Sequence, residues 1–311
     1  MTQSSVWPEG RQFAFTICDD TDLETFENVG RVYEFLADSG FHITKSCWTV
    51  RGNPELGKHP GQTLEDADYR EWLLKLESKG FGVDWHGATW HGTPREQVAA
   101  ALDRFAEIFA HDPMIATNHA NNEDSIYWGS DRLTGWRRFA YNVLTRFRHN
   151  RRFRGHIAGD KFFWGDLCQK RIKYYRNFVF QDINTLKACP LMPYHDPQKP
   201  CVNYWFASSN GTNVKAFNGC ISEANQDRLE AEGGACIMYT HLALGFADGK
   251  RLDPRFEQLM KRLSKKNGWF VRPSLLLDHL LVAKGPCEIT DAQRRQMECK
   301  WLLEKIFVGA N

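Results

Sequence analysis

The residues of this chain that could do chemistry stand at the ends of apolar runs. Residues 13–18 (FAFTIC) lead directly into Asp19, Asp20 and Asp22, FGVDW leads into His86 and then His91, and ACIMYT leads into His241. Brought together, such groups have a defined use. One carboxylate and two imidazoles can hold a divalent cation and leave a coordination position open for water. The ion lowers the pKa of that water towards neutrality, a spare carboxylate can take its proton, and a further histidine can return a proton to a leaving group. That is the equipment of a hydrolase. Each residue also has a plainer role. Asp and Thr within 19–22 are good N-caps for a following helix, and one histidine at a strand end is ordinarily a hydrogen-bonded structural residue. A cap needs only one Asp, so the run points to more.

These side chains meet only if the runs that carry them are strands of one sheet. Residues 13–18 are apolar on both alternating faces, the pattern of a central parallel strand covered on both sides. Residues 24–39 then place Phe26, Val29, Val32, Tyr33 and Leu36 on one helical stripe that stops at Gly40. The unit repeats with a strand over 42–50, a Gly- and Pro-rich loop over 52–61 and a helix over 66–80. It repeats again with a strand over 81–85 and a helix over 94–110 opened by Thr93-Pro94. A fourth short strand is predicted over 114–120. After residue 200 come strands over 202–208 and 235–242, helices near 222–232 and over 254–266, the segment 268–285, and a closing helix over 290–307. Such alternation means a parallel sheet, closed as a barrel or open and doubly wound, with the chemistry at the carboxyl ends of the strands.

Between about 121 and 200 the alternation stops, which predicts a large insertion in a single domain spanning 1–311. Residues 136–156 set Trp136, Phe139, Ala140, Val143, Leu144 and Phe147 at helical spacing beside Arg137, Arg138, Arg146, Arg148, Arg151, Arg152 and Arg154, and residues 170–184 add more positive charge. The expected outcome is a helix packed on the domain with a solvated basic face. The functional alternatives are a seat for an anionic substrate, such as the pyrophosphate of a sugar nucleotide, and peripheral contact with an acidic membrane surface.

With 311 residues, 42% hydrophobic and 25% charged, the chain suffices for one barrel-sized domain. A net charge of +2 gives no broad positive field and argues against a nucleic-acid partner. No apolar stretch reaches bilayer-spanning length, and the first residues lack the pattern of a secretory signal. Nine cysteines are scattered without a CxxC pair, the usage of reduced thiols. A cytoplasmic location is expected, with the inner membrane face as the alternative.

The order of these motifs resembles that of the polysaccharide deacetylases, the NodB-homology group of carbohydrate esterase family four, over most of residues 13–283. The resemblance implies an α/β fold, a distorted (β/α) barrel with the basic stretch as its insertion, and one divalent metal ion, zinc. Thr16-Ile17-Cys18-Asp19-Asp20 is similar to the family's Thr-Phe-Asp-Asp, which implies Asp19 as general base and Asp20 as metal ligand. In a shifted register the pair is Asp20 and Asp22. The segment from His86 to His91 resembles the motif that supplies two metal-binding histidines, spaced five apart here where the family has four. Tyr239-Thr240-His241 resembles the late Leu-x-His motif, which implies His241 as general acid. The family's third motif, an Arg and Pro pair that positions the base, has no counterpart in Asn118-His119-Ala120-Asn121-Asn122. That leaves the base's orienting group unassigned and makes Asn118 and His119 candidate substrate contacts. Trp164, with Trp128 and Trp136, is a candidate for stacking on a sugar face.

The resemblance thus implies a zinc-dependent amide hydrolase that removes an N-acetyl group from a sugar-containing substrate. A nucleotide sugar, another cytosolic glycan precursor and a lipid-linked glycan all qualify, some of them phosphate-bearing. The alternatives are hydrolysis of a non-sugar amide and a barrel that has lost the reaction.

Overall fold

The structure is a computed structural model that describes residues 7–57, 60–150 and 152–308. β1 (Phe13–Asp19), β2 (Thr44–Trp48), β3 (Gly82–Gly87), β4 (Ile115–Ala116), β5 (Tyr174–Phe180), β6 (Tyr204–Asn210) and β7 (Ala235–Thr240) run parallel, each beside the next. β7 pairs back onto β1 from Ala14↔Ala235 to Asp19↔Thr240, so the sheet closes as a barrel. Closure removes free sheet edges and explains the apolar runs, since β1, β2 and β3 are buried along their whole length. The barrel is distorted at β4, which has two residues and meets β3 at one pair, Trp85↔Ala116.

Helices α1 (Phe26–Asp38), α2 (Ala67–Ser78) and α3 (Arg95–Phe109) follow the first three strands, and α4 (Gly135–Leu144) and α5 (Gly165–Arg171) precede β5. After β5 come α6 (Thr185–Ala188), and after β6 α7 (Val214–Cys220) and α8 (Glu223–Ala231). The chain then forms a small hairpin, β8 (Ala247–Asp248) and β9 (Arg251–Leu252), and helix α9 (Pro254–Leu263). Strand β10 (Gly268–Trp269) pairs with the start of β1, and α10 (Pro273–Lys284) and α11 (Asp291–Val308) end the described chain. Helix α1 is capped by Thr25, whose side chain accepts from the Asn28 N–H while the Asn28 side chain reaches back. A capping box satisfies the first turn by itself, so Asp19, Asp20 and Asp22 are not needed as caps.

The stretch outside the barrel rhythm is shorter than residues 121–200, because β5 lies within it. Arg176 and Asn177 interrupt the apolar pattern of that strand, and both are buried in the barrel. The basic helix is also turned the other way from expectation. Arg137 points inward, its Nε 2.7 Å from Glu298 Oε2, and Tyr141 packs on Trp301 of α11 at 5.7 Å between ring centroids. Trp136, Phe139, Val143 and Leu144 face solvent, as do Phe147, Arg146 and Arg148 just beyond the helix. Arg151 lies outside the described residues. No helix among the described residues is long and apolar enough to cross a membrane.

Candidate active site at the mouth of the barrel

Successive side chains of a strand point to opposite faces, and this parity sorts the acidic run at the end of β1. Cys18 and Asp20 share the inner face. Arg176 of β5 reaches both, with Nη1 3.7 Å from Cys18 Sγ and 2.8 Å from Asp20 Oδ1 while Nη2 meets Asp20 Oδ2. Asp19 takes the opposite face, towards the helices. Its carboxylate accepts from Tyr33 Oη of α1 at 2.7 Å and from the Leu242 N–H at 3.0 Å, and Lys45 Nζ stands 3.6 Å away. Lys45 is paired in turn with Glu24, and all three charged side chains are fully buried. Burial and the neighbouring Asp19 charge raise the Glu24 carboxyl well above its ordinary range. The side-chain partners of Asp19 thus lie in the packed layer, away from the cavity that Asp20 and Asp22 line, which is not the placement expected of a general base.

Asp20 is the inward carboxylate. Burial alone would raise its pKa, but the bidentate Arg176 charge outweighs that and holds it below the usual carboxylate range. Two residues on, Asp22 sits among three imidazoles. His241 Nε2 lies 3.0 Å from Oδ2, His119 Nε2 3.3 Å from Oδ1, and His86 Nε2 3.7 Å from Oδ1. Asp22 is held well below its ordinary value by the His241 and His86 contacts, against the effect of burial.

The rings are fixed from behind. His86 Nδ1 bonds Thr117 Oγ1 at 2.6 Å and His119 Nδ1 donates to Asn122 Oδ1 at 2.8 Å. Trp48 packs edgewise on both rings, at 4.6 and 5.1 Å. His241 differs, since Nδ1 donates to the Thr212 carbonyl at 3.0 Å and Nε2 donates to Asp22. Burial opposes a charge there, but the Asp22 hydrogen bond and the Asp20 charge push its pKa up to about 9. Both ring nitrogens of His241 thus face acceptors, an arrangement that favours its protonated form. Asp20, Asp22, His119, Arg176 and His241 line one cavity of about 400 Å³, within the size range of small-molecule sites.

No protein-family model matches the chain, and no curated protein sequence does. Solved structures match its fold. A protein of Mycobacterium smegmatis assigned as a polysaccharide deacetylase superposes with a TM-score of 0.52 at 11% identity, over 91% of this chain and 96% of that one. A second, assigned likewise in Pseudomonas aeruginosa PAO1, gives 0.50 at 12% identity, over 90% and 94%. The fold is that of the polysaccharide deacetylases. On such a barrel the strand ends shared by Asp20, His86 and His241 form one mouth, and the chemistry has to be read from the side chains present there.

Three residues expected at this mouth are elsewhere or occupied. His91 is outside the cluster. β3 runs on to Gly87, so His91 falls in the loop beyond, where Nε2 accepts from the Asn53 N–H at 2.8 Å and Nδ1 donates to the Gly92 carbonyl at 3.1 Å. Both nitrogens are spent, which corrects its assignment as a ligand. Asn118 reaches the cavity wall, but its amide staples the loop after β4, bonding both the N–H and the carbonyl of Ile126 and accepting from Tyr175 Oη. Trp164 is buried, and its indole N–H donates to the Asp124 carbonyl at 2.6 Å, so it is core and not a sugar platform. Trp128 lines the cavity instead.

Among the described residues no group of three or more His, Cys, Asp or Glu side chains stands where it could hold a metal ion as placed. The donor chemistry nevertheless suits a divalent ion. His86 Nε2 is buried without a hydrogen-bond partner, an orphaned nitrogen 3.7 Å from the Asp22 carboxylate. Ligands about 2.1 Å from a tetrahedral ion stand roughly 3.4 Å from one another, and Asp22 Oδ1 is 3.3 and 3.7 Å from the two Nε2 atoms. Two of the spacings within Asp22, His86 and His119 thus suit a common ion, while Asp20 is held by Arg176. The resemblance implies Asp20, or Asp22 in the shifted register, with His86 and His91. It leaves out Arg176, for which the available signal is an arginine in the middle of YYRNFVF, where a solvated charge has no place.

Proposed function

We propose that the protein is a metal-dependent amide hydrolase that removes an acyl group, acetyl in the first instance, from an amino sugar. The observation that carries this reading is the convergence of three imidazole Nε2 atoms on the carboxylate of Asp22, beside a separate carboxylate held ionised by an arginine. A divalent ion, zinc by the N and O donor set, would be held by Asp22, His86 and His119 and when bound would polarise water and the amide carbonyl.

The remaining steps belong to the chain. Asp20, fixed by Arg176 and ionised at neutral pH, takes the proton of the attacking water. His241, protonated and oriented by the Thr212 carbonyl, gives a proton to the departing nitrogen. Trp48 and the partners Thr117 and Asn122 keep His86 and His119 with Nε2 facing the mouth. Arg176 of β5 supplies the charge that orients Asp20. The test is acetate release from a panel of N-acetylated sugars by the protein with and without chelator. Release that chelation abolishes and zinc restores supports the reading. Full activity in chelator, or hydrolysis of non-sugar amides alone, contradicts it.

A second reading concerns where the enzyme works. Trp136, Phe139, Val143, Leu144 and Phe147 form an exposed apolar face flanked by Arg146 and Arg148, the composition of a surface that seats in an anionic lipid interface. Sedimentation with phosphatidylglycerol vesicles, but not with phosphatidylcholine vesicles, is the expected result. Equal recovery in the supernatant with both lipids rejects the contact.

A further inference from the structure

The cavity that holds Asp20, Asp22 and His241 also contains two cations that the proposed reaction does not use. Arg132, in the turn before α4, is 4% exposed, and Lys305 of α11 is 7% exposed. Among the described residues neither side chain has a hydrogen bond or an ion pair, and Arg132 Nε is buried with no acceptor at all. What surrounds them is aromatic. The Arg132 guanidinium stacks on Trp128 at 3.2 Å and lies 5.1 Å from the Trp301 ring, which Lys305 Nζ also overlies at 5.7 Å. Cation–π contacts recover part of the lost hydration, but a buried charge without an opposite charge is costly.

The strain shows in the titration of both groups. Burial pushes the Arg132 guanidinium down to about 10, and burial with the Arg132 charge pushes the Lys305 ammonium down to about 8. Arg176, the third cation of the cavity, is already satisfied by Asp20. Two like charges lining one ligand-sized cavity, neither with a hydrogen bond or an ion pair among the described residues, are arranged for an anion that arrives with the ligand.

We propose that Arg132 and Lys305 form a subsite for an oxyanion carried by the substrate, a phosphate or a carboxylate, so that the acylated sugar is a charged one. The proposal rests on the deacylase reading for the word "substrate" and on Arg132 and Lys305 alone for the anion. It differs from the exposed arginines of residues 136–156, which face solvent and not the cavity.

Equilibrium titration of the full chain with N-acetylglucosamine, N-acetylglucosamine 1-phosphate and N-acetylmuramic acid tests it. One of the charged sugars should bind at least about tenfold more tightly than the neutral one, the factor expected of a charge-assisted contact, and which one does so distinguishes phosphate from carboxylate. Lys305→Gln and Arg132→Gln should each erase that preference, and Lys305→Arg should keep it. A neutral sugar bound and deacetylated as well as the charged ones overturns the subsite while leaving the deacylase intact. Should no sugar bind, titration with inorganic phosphate decides. A tenfold weakening in Lys305→Gln, checked for native circular dichroism, supports the subsite without the deacylase, and unchanged affinity overturns it.

Discussion

Two clusters of acids and cations lie back to back at the end of β1, and they are built for opposite purposes. On the outer side Asp19, Glu24 and Lys45 are fully buried, and Tyr33 and the Leu242 and Ala243 amides bond the two carboxyl groups. On the inner side Asp20 and Asp22 face a cavity, and one of the imidazoles beside Asp22 keeps an unused nitrogen. The residue types are much the same. What separates the two here is access: the outer cluster is sealed in the packed layer with Lys45 ion-paired to Glu24 and Asp19, whereas the inner one opens on a cavity. Consecutive residues of a strand can serve both because the pleat sends them apart.

The comparison is most sharply broken by exchanging the clusters' roles. Asp20→Asn should lower acetate release by the folded protein about 10²–10⁴-fold, the range of a lost general base, and should also lower its urea midpoint, because it leaves the buried Arg176 charge without its carboxylate. Asp22→Asn should lose both turnover and bound metal. If Asp19→Asn shows the larger loss of kcat in folded protein, the two clusters have been read the wrong way round. Next in size, Lys45→Met leaves Asp19 beside an unpaired Glu24 in the packed layer. It should cost about 3–5 kcal/mol of stability, seen in urea unfolding, while the folded fraction keeps its kcat.

A carboxylate remote from both clusters supplies the control. Asp196 accepts from Arg294 Nε at 2.9 and 3.0 Å and from Lys199 Nζ at 3.1 Å. Burial would raise it, but these cations hold it below the ordinary carboxylate value. Its contribution to stability is therefore complete above the unfolded pKa of about 3.9 and is lost as pH falls from there through the depressed folded value. Unfolding of wild type and Asp196→Asn followed from pH 7 to pH 3 should show a stability gap that narrows only on the acid side. A constant gap would contradict the ion pairing. The smallest effect belongs to His91→Gln, which should keep metal content and leave activity within about threefold, losing about 1 kcal/mol with one hydrogen bond. Metal loss in this variant would restore His91 to the site.

Most of the fold was legible because its strands are apolar runs and its helices carry clear stripes. β5 was hidden by Arg176 and Asn177, a charge and an amide that only make sense once Asp20 is placed opposite. Helix α4 was legible as a helix but not in its orientation, because a buried Arg137–Glu298 pair overrides the apolar stripe. Within the site His86 and His241 both stand beside Asp22, since each ends or follows a buried strand. The sequence leaves the acidic run in two registers, Asp19 with Asp20 or Asp20 with Asp22, because resemblance of letters does not report which face a side chain takes. His119 was named as a substrate contact, and its position 3.3 Å from Asp22 could not be read from a two-residue strand.

The central claim is that Asp22, His86 and His119 together make the cation site of this barrel. Anomalous diffraction at the zinc edge from crystals grown with equimolar zinc tests it directly. The account expects one strong peak within bonding distance of Asp22, His86 and His119, and a peak at His91, or none at the mouth of the barrel, would contradict it.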